Sequence, residues 1–352
     1  MGNSGQSDAE LNAVLLGFGY WGPNILRNIL SSPHFRIHAI VDPDPSARDR
    51  ARAATPGASI VPGVDDLDWT SIDAAFVAAP PEHHESLALQ AIAAGSHVWV
   101  EKPFCVSFEQ AWTVAQAAKV AEVALWVDLP YLFHSGVTTL VQEAASGAFG
   151  DYLYLLSNRS NFGLYHQTID VMRDLLVHDL AIAQALTSDA PRAVTSSVLH
   201  ESGSGATMAV ITTRWESGFV MHSIGNQLAA EKSRLLELRG THGAVTFDDN
   251  SADAKLRFVF ADAPASRGSG ATNLNAQYAL SHRVVPTLSH PEPLAASMEA
   301  FANRIFGDKE QSVWPDPVTI SLRSHLWIEA ADKSIQEQGR EALVPQGVWN
   351  SL

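Results

Sequence analysis

The sequence predicts an α/β domain joined to an α+β domain: a doubly wound parallel sheet, then a mostly antiparallel sheet flanked by helices. Three observations lead there. Strand-type apolar runs alternate with helix-period segments from Asn12 to Val127, and a Gly17-Phe18-Gly19-Tyr20-Trp21-Gly22 turn stands between the first run and the first helix. From Ala193 onward, valine- and threonine-rich runs follow one another with only glycine-bearing turns between them. Residues 1–10 read as a flexible N-terminus, 11–130 as the parallel-sheet domain and 131–352 as the second domain.

The first strand, Asn12 to Leu16, feeds the glycine turn directly. Pro23 suits the first helical turn, and Ile25, Leu26, Ile29 and Leu30 repeat at helical spacing, predicting one buried face. Gly17 permits a tight turn, Gly19 lets the backbone approach a pyrophosphate, and Gly22 allows the helix to pack closely on the strand. The second strand, Phe35 to Val41, ends on Asp42 at the spacing expected of a ribose-binding acid. Pro43, Asp44, Pro45 and Ser46 follow, with no basic residue to receive a 2′-phosphate, so NAD is favoured over NADP.

The alternation continues. A strand from Ala74 to Ala78 ends in Pro80-Pro81, a helix from Glu82 to Ala94 closes on Gly95, and a strand from His97 to Val100 stops abruptly on Glu101-Lys102-Pro103. A helix over Ser107 to Glu122 and a strand over Val123 to Val127 follow, the latter ending on Asp128. Ligands of an open parallel sheet bind outside the carboxyl ends of its strands, where Glu101 and Lys102 project. His84 lies after the fourth strand on the expected cofactor path, whereas His83 reads as an ordinary helix-start residue. Cys105 has no partner base beside it and reads as a packed residue.

In the second half, Asp174 and His178 stand four apart among helix-compatible residues and are expected on one helix face, the carboxylate orienting the imidazole. Consecutive strands are expected at Val194 to Leu199, Ala206 to Trp215, Gly218 to Ile224, Arg234 to Arg239 and Ala244 to Phe247. Ala261 to Ala271 reads as a mobile loop, and Pro293 to Phe306 and Thr319 to Gln336 as closing helices.

Composition narrows the function. The 352 residues are 46% apolar and carry a formal net charge of -15, so neither nucleic acid nor an acidic membrane surface is an expected partner. The single cysteine excludes an internal disulfide framework and a multi-cysteine metal site, no metal is expected, and the cytoplasm is the expected compartment.

Gly17-Phe-Gly19-Tyr-Trp-Gly22-Pro-Asn, the Asp42 strand end, Pro80 to His84 and Glu101-Lys102-Pro103 together resemble the Gfo/Idh/MocA oxidoreductases. Asn158-Arg159-Ser-Asn161-Phe-Gly163 and Asp174-Leu-Leu-Val-His178-Asp179 resemble its nucleotide-sugar branch, such as the UDP-N-acetylglucosamine 3-dehydrogenases. The resemblance implies a Rossmann domain with an open-faced sheet domain, and a homodimer or homotetramer formed through that sheet. It also implies that Glu101 approaches the nicotinamide ribose, Lys102 reaches the reacting carbinol, the bond before Pro103 is cis, and Asp174 and His178 are the paired catalytic residues. Departures from the family are Leu176 where a glycine is common, Arg173 where tryptophan or leucine is usual, and Asp128 where the residue is usually small. The extra carboxylate at Asp128 points to a substrate bearing hydroxyls or an amine.

An alcohol losing hydride to nicotinamide must also lose a proton, so an acid/base at the carbinol oxygen is required. Lys102 and His178 are expected to converge there, with either able to move the proton and Asp174 orienting His178. Arg159 and Asn161 join Asp128 as substrate-binding candidates. The expected activity is an NAD(H)-dependent interconversion of alcohol and ketone on a sugar, nucleotide sugar or cyclitol. The alternatives are an epimerase, lyase or glycosidase that retains NAD and oxidises transiently, and a non-catalytic ligand sensor.

Overall fold

The computed structural model describes residues 10–161, 169–203, 205–252, 255–261, 280–285, 292–307 and 316–352. The described residues up to Pro130, with those between 291 and 322, form one compact unit; those from 131 to 290 and from 323 to 352 form a second.

The first unit follows the predicted alternation: β1 (Leu11–Leu16), α1 (Gly22–Ser31), β2 (Phe35–Val41), α2 (Pro45–Ala54), β3 (Ser59–Val61), β4 (Ala74–Val77), α3 (His84–Ala93), β5 (His97–Val100), α4 (Phe108–Ala121) and β6 (Leu125–Val127). Among the described residues these six strands form one parallel sheet in the order β3-β2-β1-β4-β5-β6. Because β1 lies between β2 and β4, the sheet reverses its winding beside the glycine turn, the place where such sheets bind ligands.

Local chemistry sets the helix starts. Asp44 and Ser107 accept hydrogen bonds from the backbone N–H groups of Ser46 and Gln110 at the N-caps of α2 and α4. In α1, Ile25, Leu26 and Ile29 are buried as expected, but Leu30 is 54% exposed. Asn28 takes part of the buried face instead, its side-chain amide donating to the Asn24 carbonyl at 2.9 Å.

The helix Pro293–Phe306, placed by the sequence in the second domain, folds with this first unit. Phe301 packs with Phe35 and Phe76 at ring separations of 5.9 Å each, and Trp126 donates its indole N–H to Ser297 at 3.0 Å. A buried aromatic cluster of this kind outweighs sequence proximity in deciding where a helix docks.

The second unit contains α5 (Ser135–Ala145), β7 (Tyr152–Ser160), a π-helical turn (Met172–Leu176) running into α6 (Val177–Leu186), β8 (Ala193–Ser202), β9 (Gly205–Arg214), β10 (Val220–Asn226), β11 (Ser233–Gly240), β12 (Gly243–Asp248), β13 (Leu256–Ala261) and β14 (Leu280–Val285). After α7, the Pro293–Phe306 helix, come α8 (Pro317–Gln336), β15 (Ala342–Leu343) and α9 (Gln346–Ser351). Beyond Ala261, the loop expected to Ala271 lies outside the described residues. The described strands form a sheet in the order β14-β13-β12-β11-β7-β10-β9-β8-β15, antiparallel except for the β7–β10 pair.

One face of this sheet is closed by helix. Every residue from Val177 to Gln184 is buried. The opposite face, where Leu156 pairs across to His222 and Glu237, leaves Leu156 43% and Leu235 41% exposed.

The departure at Leu176 has a steric explanation. A Cβ on Gly225 of β10 would stand 3.0 Å from Leu176 Cγ and 2.9 Å from a Val171 methyl, so the small residue sits on the strand and the large one on the helix. Gly225→Ala is therefore expected to cost about 1–3 kcal/mol by overpacking. Urea unfolding should show this loss in the parent chain and much less of it in a Leu176→Ala background, as coupled neighbours require.

Candidate active site

The glycine turn is built around one close approach and one open side. Gly17 has φ +103°, and a Cβ there would lie 2.7 Å from the Ala78 carbonyl group and the Ala79 nitrogen, so only glycine fits between β1 and the end of β4. A Cβ on Gly19 would meet nothing within 4 Å, leaving that backbone open to a ligand. Gly22 packs against its own turn, with the Gly17 carbonyl oxygen 3.0 Å and the Phe18 ring 3.1 Å from a built Cβ, rather than against the strand. The first turn of α1 has no side-chain cap, which suits an anionic group at its N-terminus. Tyr20 and Trp21, 71% and 41% exposed, stack on each other at the tip, and Pro80 is exposed beyond β4.

Asp42 holds this turn in shape. One carboxylate oxygen accepts the Phe18 N–H at 2.6 Å and the other the Asp44 N–H at 2.8 Å. Each oxygen retains a second lone pair for a ribose hydroxyl. Phe18 is consequently a structural member of the turn: Asp42 takes its N–H and its ring is buried. Basic groups do stand nearby, six and eight residues beyond Asp42. Arg48 donates to the Asp42 and Pro43 carbonyls at 2.8 Å each, and Arg50 donates to the Phe18 carbonyl at 3.3 Å.

At the end of β5, Glu101 is buried, and one oxygen accepts the Lys102 N–H at 3.1 Å. The Lys102-Pro103 peptide is cis. His84 does not face a ligand: it is 1% exposed, with its ring nitrogens 3.0 Å from the Pro103 carbonyl and 2.8 Å from the Ala79 carbonyl. Burial pushes the imidazole below its ordinary pKa, so the neutral ring donates to one carbonyl at a time and braces both loops.

Asp128 also departs from its expected role. It is 1% exposed and its Oδ1 accepts the Ser297 hydroxyl at 2.6 Å, so it is a buried member of the sheet edge. Burial pushes its carboxyl up to about 7, against the Ser297 hydrogen bond and the Lys102 charge. Burial, then the charge of Asp128, raises Glu101 well above the ordinary carboxylate range, while Lys102 acts in the other direction.

In the second unit, the Met172–Leu176 turn is π-helical where an ordinary α-helix was expected, a form frequent at functional sites. Asp170 caps it, accepting the Met172 and Arg173 N–H groups at 2.9 and 3.0 Å. Arg173 bridges Asp170 and Asp332 at 2.5 and 2.6 Å, a structural pair that explains its departure from an apolar residue. Asp174 is buried and accepts the Gln227 amide at 3.0 Å. His178 is buried against Tyr131, ring centres 5.0 Å apart.

Arg159 makes a buried ion pair. It is 3% exposed, pairs with Asp179 at 2.5 Å and lies 4.1 Å from the Tyr131 ring centre. Asn161 is half-buried, and its side-chain oxygen accepts from Arg234 at 2.8 Å. Phe162 and Gly163 lie outside the described residues. Sequence reasoning missed Tyr131, Gln227 and Asp249. Tyr131 donates to Asp249 at 3.1 Å, while Asp249 also contacts His134 at 3.0 Å and Lys255 at 2.8 Å. These residues come from separate strands and loops with no spacing signal to join them. Burial opposes the Asp249 charge, yet the His134 and Lys255 hydrogen bonds hold its carboxyl below the ordinary range. Among the described residues, no group of three acidic, histidine or cysteine side chains is gathered to hold a metal.

Residues 11–129 match the oxidoreductase family GFO_IDH_MocA, described as having an NAD-binding Rossmann fold. Residues 11–129 are thus those of a Gfo/Idh/MocA-family NAD-binding domain. Among curated relatives, it is 30% identical over 157 residues to an inositol 2-dehydrogenase of Leifsonia xyli, covering 42% of this chain and 44% of that protein. It is 27% identical over 193 residues to a UDP-N-acetylglucosamine 3-dehydrogenase of Acidithiobacillus ferrooxidans, covering 54% and 60%. The matches thus span about half the length of these relatives. Solved structures extend the likeness in fold to nearly the whole chain. The UDP-N-acetylglucosamine 3-dehydrogenase of Acidithiobacillus ferrooxidans superposes with TM-score 0.77 at 20% identity, over 94% of this chain and 100% of that one. A levoglucosan dehydrogenase in complex with NADH gives 0.81 at 18% identity, over 96% and 100%.

The buried carboxylates carry a pH signature. An acid whose folded pKa is raised contributes stability fully present below its unfolded value, about 4, that is lost as pH rises through its folded value, here about 7 for Asp128. Asp128→Asn removes that titration, so the parent chain should lose stability relative to the variant as pH rises from about 4 to about 7. Melting temperatures of both proteins across this range test it; parallel curves would contradict the burial of a proton at this site.

Proposed function

We propose that the protein is an NAD(H)-dependent oxidoreductase interconverting a secondary alcohol and a ketone on a sugar, nucleotide sugar or cyclitol. The observation that carries the reading is one shared sheet edge: Asp42 follows β2 beside the glycine turn, accepting the Phe18 N–H at 2.6 Å, and Glu101-Lys102 follows β5 of the same parallel sheet. Nucleotide binding and a proton-handling lysine thereby belong to one sheet edge. The names of the relatives support the substrate class, since an inositol and a UDP-sugar both offer secondary alcohols on a ring.

Each residue then has a task. Gly19 and the first turn of α1 hold the pyrophosphate, Asp42 accepts the adenosine ribose hydroxyls, and Glu101 accepts from the nicotinamide ribose. The nicotinamide, when bound, supplies the hydride acceptor or donor. Lys102 donates to the carbinol oxygen, and His178 takes or returns its proton. Gln227 fixes Asp174 by hydrogen bonding, and Asp174 in turn orients the imidazole or a substrate hydroxyl.

NAD is the proposed cofactor because a 2′-phosphate would lie against the Asp42 carboxylate, a repulsion the nearby Arg50 only moderates. A second copy of the chain is proposed to cover the exposed sheet face around Leu156 and Leu235, giving a homodimer or homotetramer. The single, buried Cys105 suits the cytoplasm.

Lys102→Met is expected to lower turnover at least about 10²-fold with sugars, UDP-sugars or inositols while leaving NADH binding largely intact. The reduced-nicotinamide absorbance measures turnover; undiminished activity would remove Lys102 from the mechanism, and product formation without net reduced cofactor would favour the NAD-retaining alternatives. Asp42→Ala is expected to weaken NAD binding roughly tenfold or more and to narrow the preference over NADP. Titration of both dinucleotides checks this, and an NADP preference in the parent protein would overturn the role given to Asp42.

A further inference from the structure

Gly225 of β10, Arg159 of β7 and Arg234 of β11 stand opposite one another in a row across the second sheet, and the Asp249 N–H reaches the Arg234 carbonyl at 3.1 Å from beyond the end of β12. Side chains paired in this way share a face, and like charges directly opposite are unfavourable, so each arginine needs a counter-charge. Arg159 has one in Asp179 of α6, at 2.5 Å. Arg234 does not. Its Nη1 donates to the Ser160 and Ser233 carbonyls at 2.7 Å each, and its Nη2 to the Asn161 side-chain oxygen at 2.8 Å, all of them neutral acceptors. Among the described residues no carboxylate pairs with it: Asp179 is engaged by Arg159, and Asp249 by His134 and Lys255 at 3.0 and 2.8 Å.

A guanidinium can only donate, so Asn161 gives it the amide oxygen and turns two N–H donors outward. Arg234 keeps its Nε–H and one Nη2 N–H. Both side chains are half-buried, and donors gathered about a positive charge with no acid among them suit an oxyanion. Burial, then the Arg159 charge, pushes the guanidinium below its ordinary pKa, the direction expected of a cation lacking a counter-charge. The other end of the row lies beside the helix that carries Asp174 and His178. Leu176 packs on Gly225, and Gln227, two residues further along β10, donates to Asp174 at 3.0 Å. Strand β11 is two strands from β10, about 10 Å at ordinary strand spacing, a span that one sugar ring with a charged arm bridges.

We propose that Arg234 and Asn161 bind an oxyanion of the substrate, the phosphate of a nucleotide sugar or the carboxylate of a sugar acid, with the reacting ring between this pair and Asp174. This rests on the reading of the protein as an oxidoreductase of ring alcohols and narrows its substrate to an anionic one. A neutral cyclitol or free sugar leaves Arg234 without a counter-charge.

Calorimetric titration of the full-length protein, with NADH in excess, against two matched pairs tests this: UDP-N-acetylglucosamine with N-acetylglucosamine, and glucuronate with glucose. In the parent chain the charged member of at least one pair is expected to bind about tenfold tighter or more than its neutral counterpart, as one hydrogen bond between charged groups contributes. A preference in the first pair identifies the phosphate, one in the second the carboxylate. Arg234→Gln is expected to bring that ratio close to one. Asn161→Asp should do the same by giving the guanidinium a carboxylate of the chain's own, and it decides the matter if Arg234→Gln does not fold. Ratios near one for both pairs in the parent, or a preference that persists in a folded variant, would overturn the proposal, as would an equal loss for both members of a pair. NADH fluorescence on the same samples separates the two readings: a parent chain that fails to bind NADH contradicts the enzyme assignment, whereas the charged-over-neutral ratio reports on Arg234.

Discussion

Burying two carboxylates beside a lysine at the ends of adjacent parallel strands is the constraint around which the first unit is arranged. Glu101 and Asp128 are both removed from water, and the Asp128 charge adds to the cost of ionising Glu101. Such a cluster persists only where its remaining hydrogen bonds are supplied. The Lys102 N–H supplies one to Glu101, and Ser297 supplies one to Asp128 from α7, itself anchored by Phe301 in the aromatic cluster. The helix from late in the chain that the aromatic cluster docks on the early domain thus also brings the donor that Asp128 needs.

The nucleotide turn shows the same economy of parts. Asp42 fixes the Phe18 backbone and the start of the following loop while keeping acceptor capacity for a ribose. Gly17 fits only because it lacks a Cβ, and Gly19 is open because nothing covers it. Removing Asp42 therefore acts on the shape of the turn as well as on the ligand, so its effect on dinucleotide binding combines two losses.

Much of this was legible in the sequence. The alternation through Val127 marked the parallel sheet because hydrophobic period changes between strand and helix, and the glycine turn, Asp42 and Glu101-Lys102-Pro103 stood where strand ends must be. Less legible were the intramolecular partners of Asp128, Arg159 and His84, whose polar side chains at strand ends and loops read as candidates for ligand contact. Their partners, Ser297, Asp179 and the Pro103 carbonyl, come from other elements and are invisible without the fold. Leu30 failed for the complementary reason: an apolar residue at helical spacing gave way to Asn28, whose amide could be satisfied by Asn24. The π-helical turn at Met172–Leu176 had no local signal; in the fold Leu176 lies against Gly225 and Asp170 accepts the Met172 N–H.

The most direct test of the account is a crystal structure of the full chain with bound NADH. The account requires the pyrophosphate on the Gly19 backbone and the α1 N-terminus, the adenosine ribose on Asp42, and the nicotinamide C4 close enough to Lys102 for a carbinol to bridge them, each contact roughly 3–3.5 Å. A dinucleotide bound away from this turn, or one whose nicotinamide points away from Glu101 and Lys102, would contradict it.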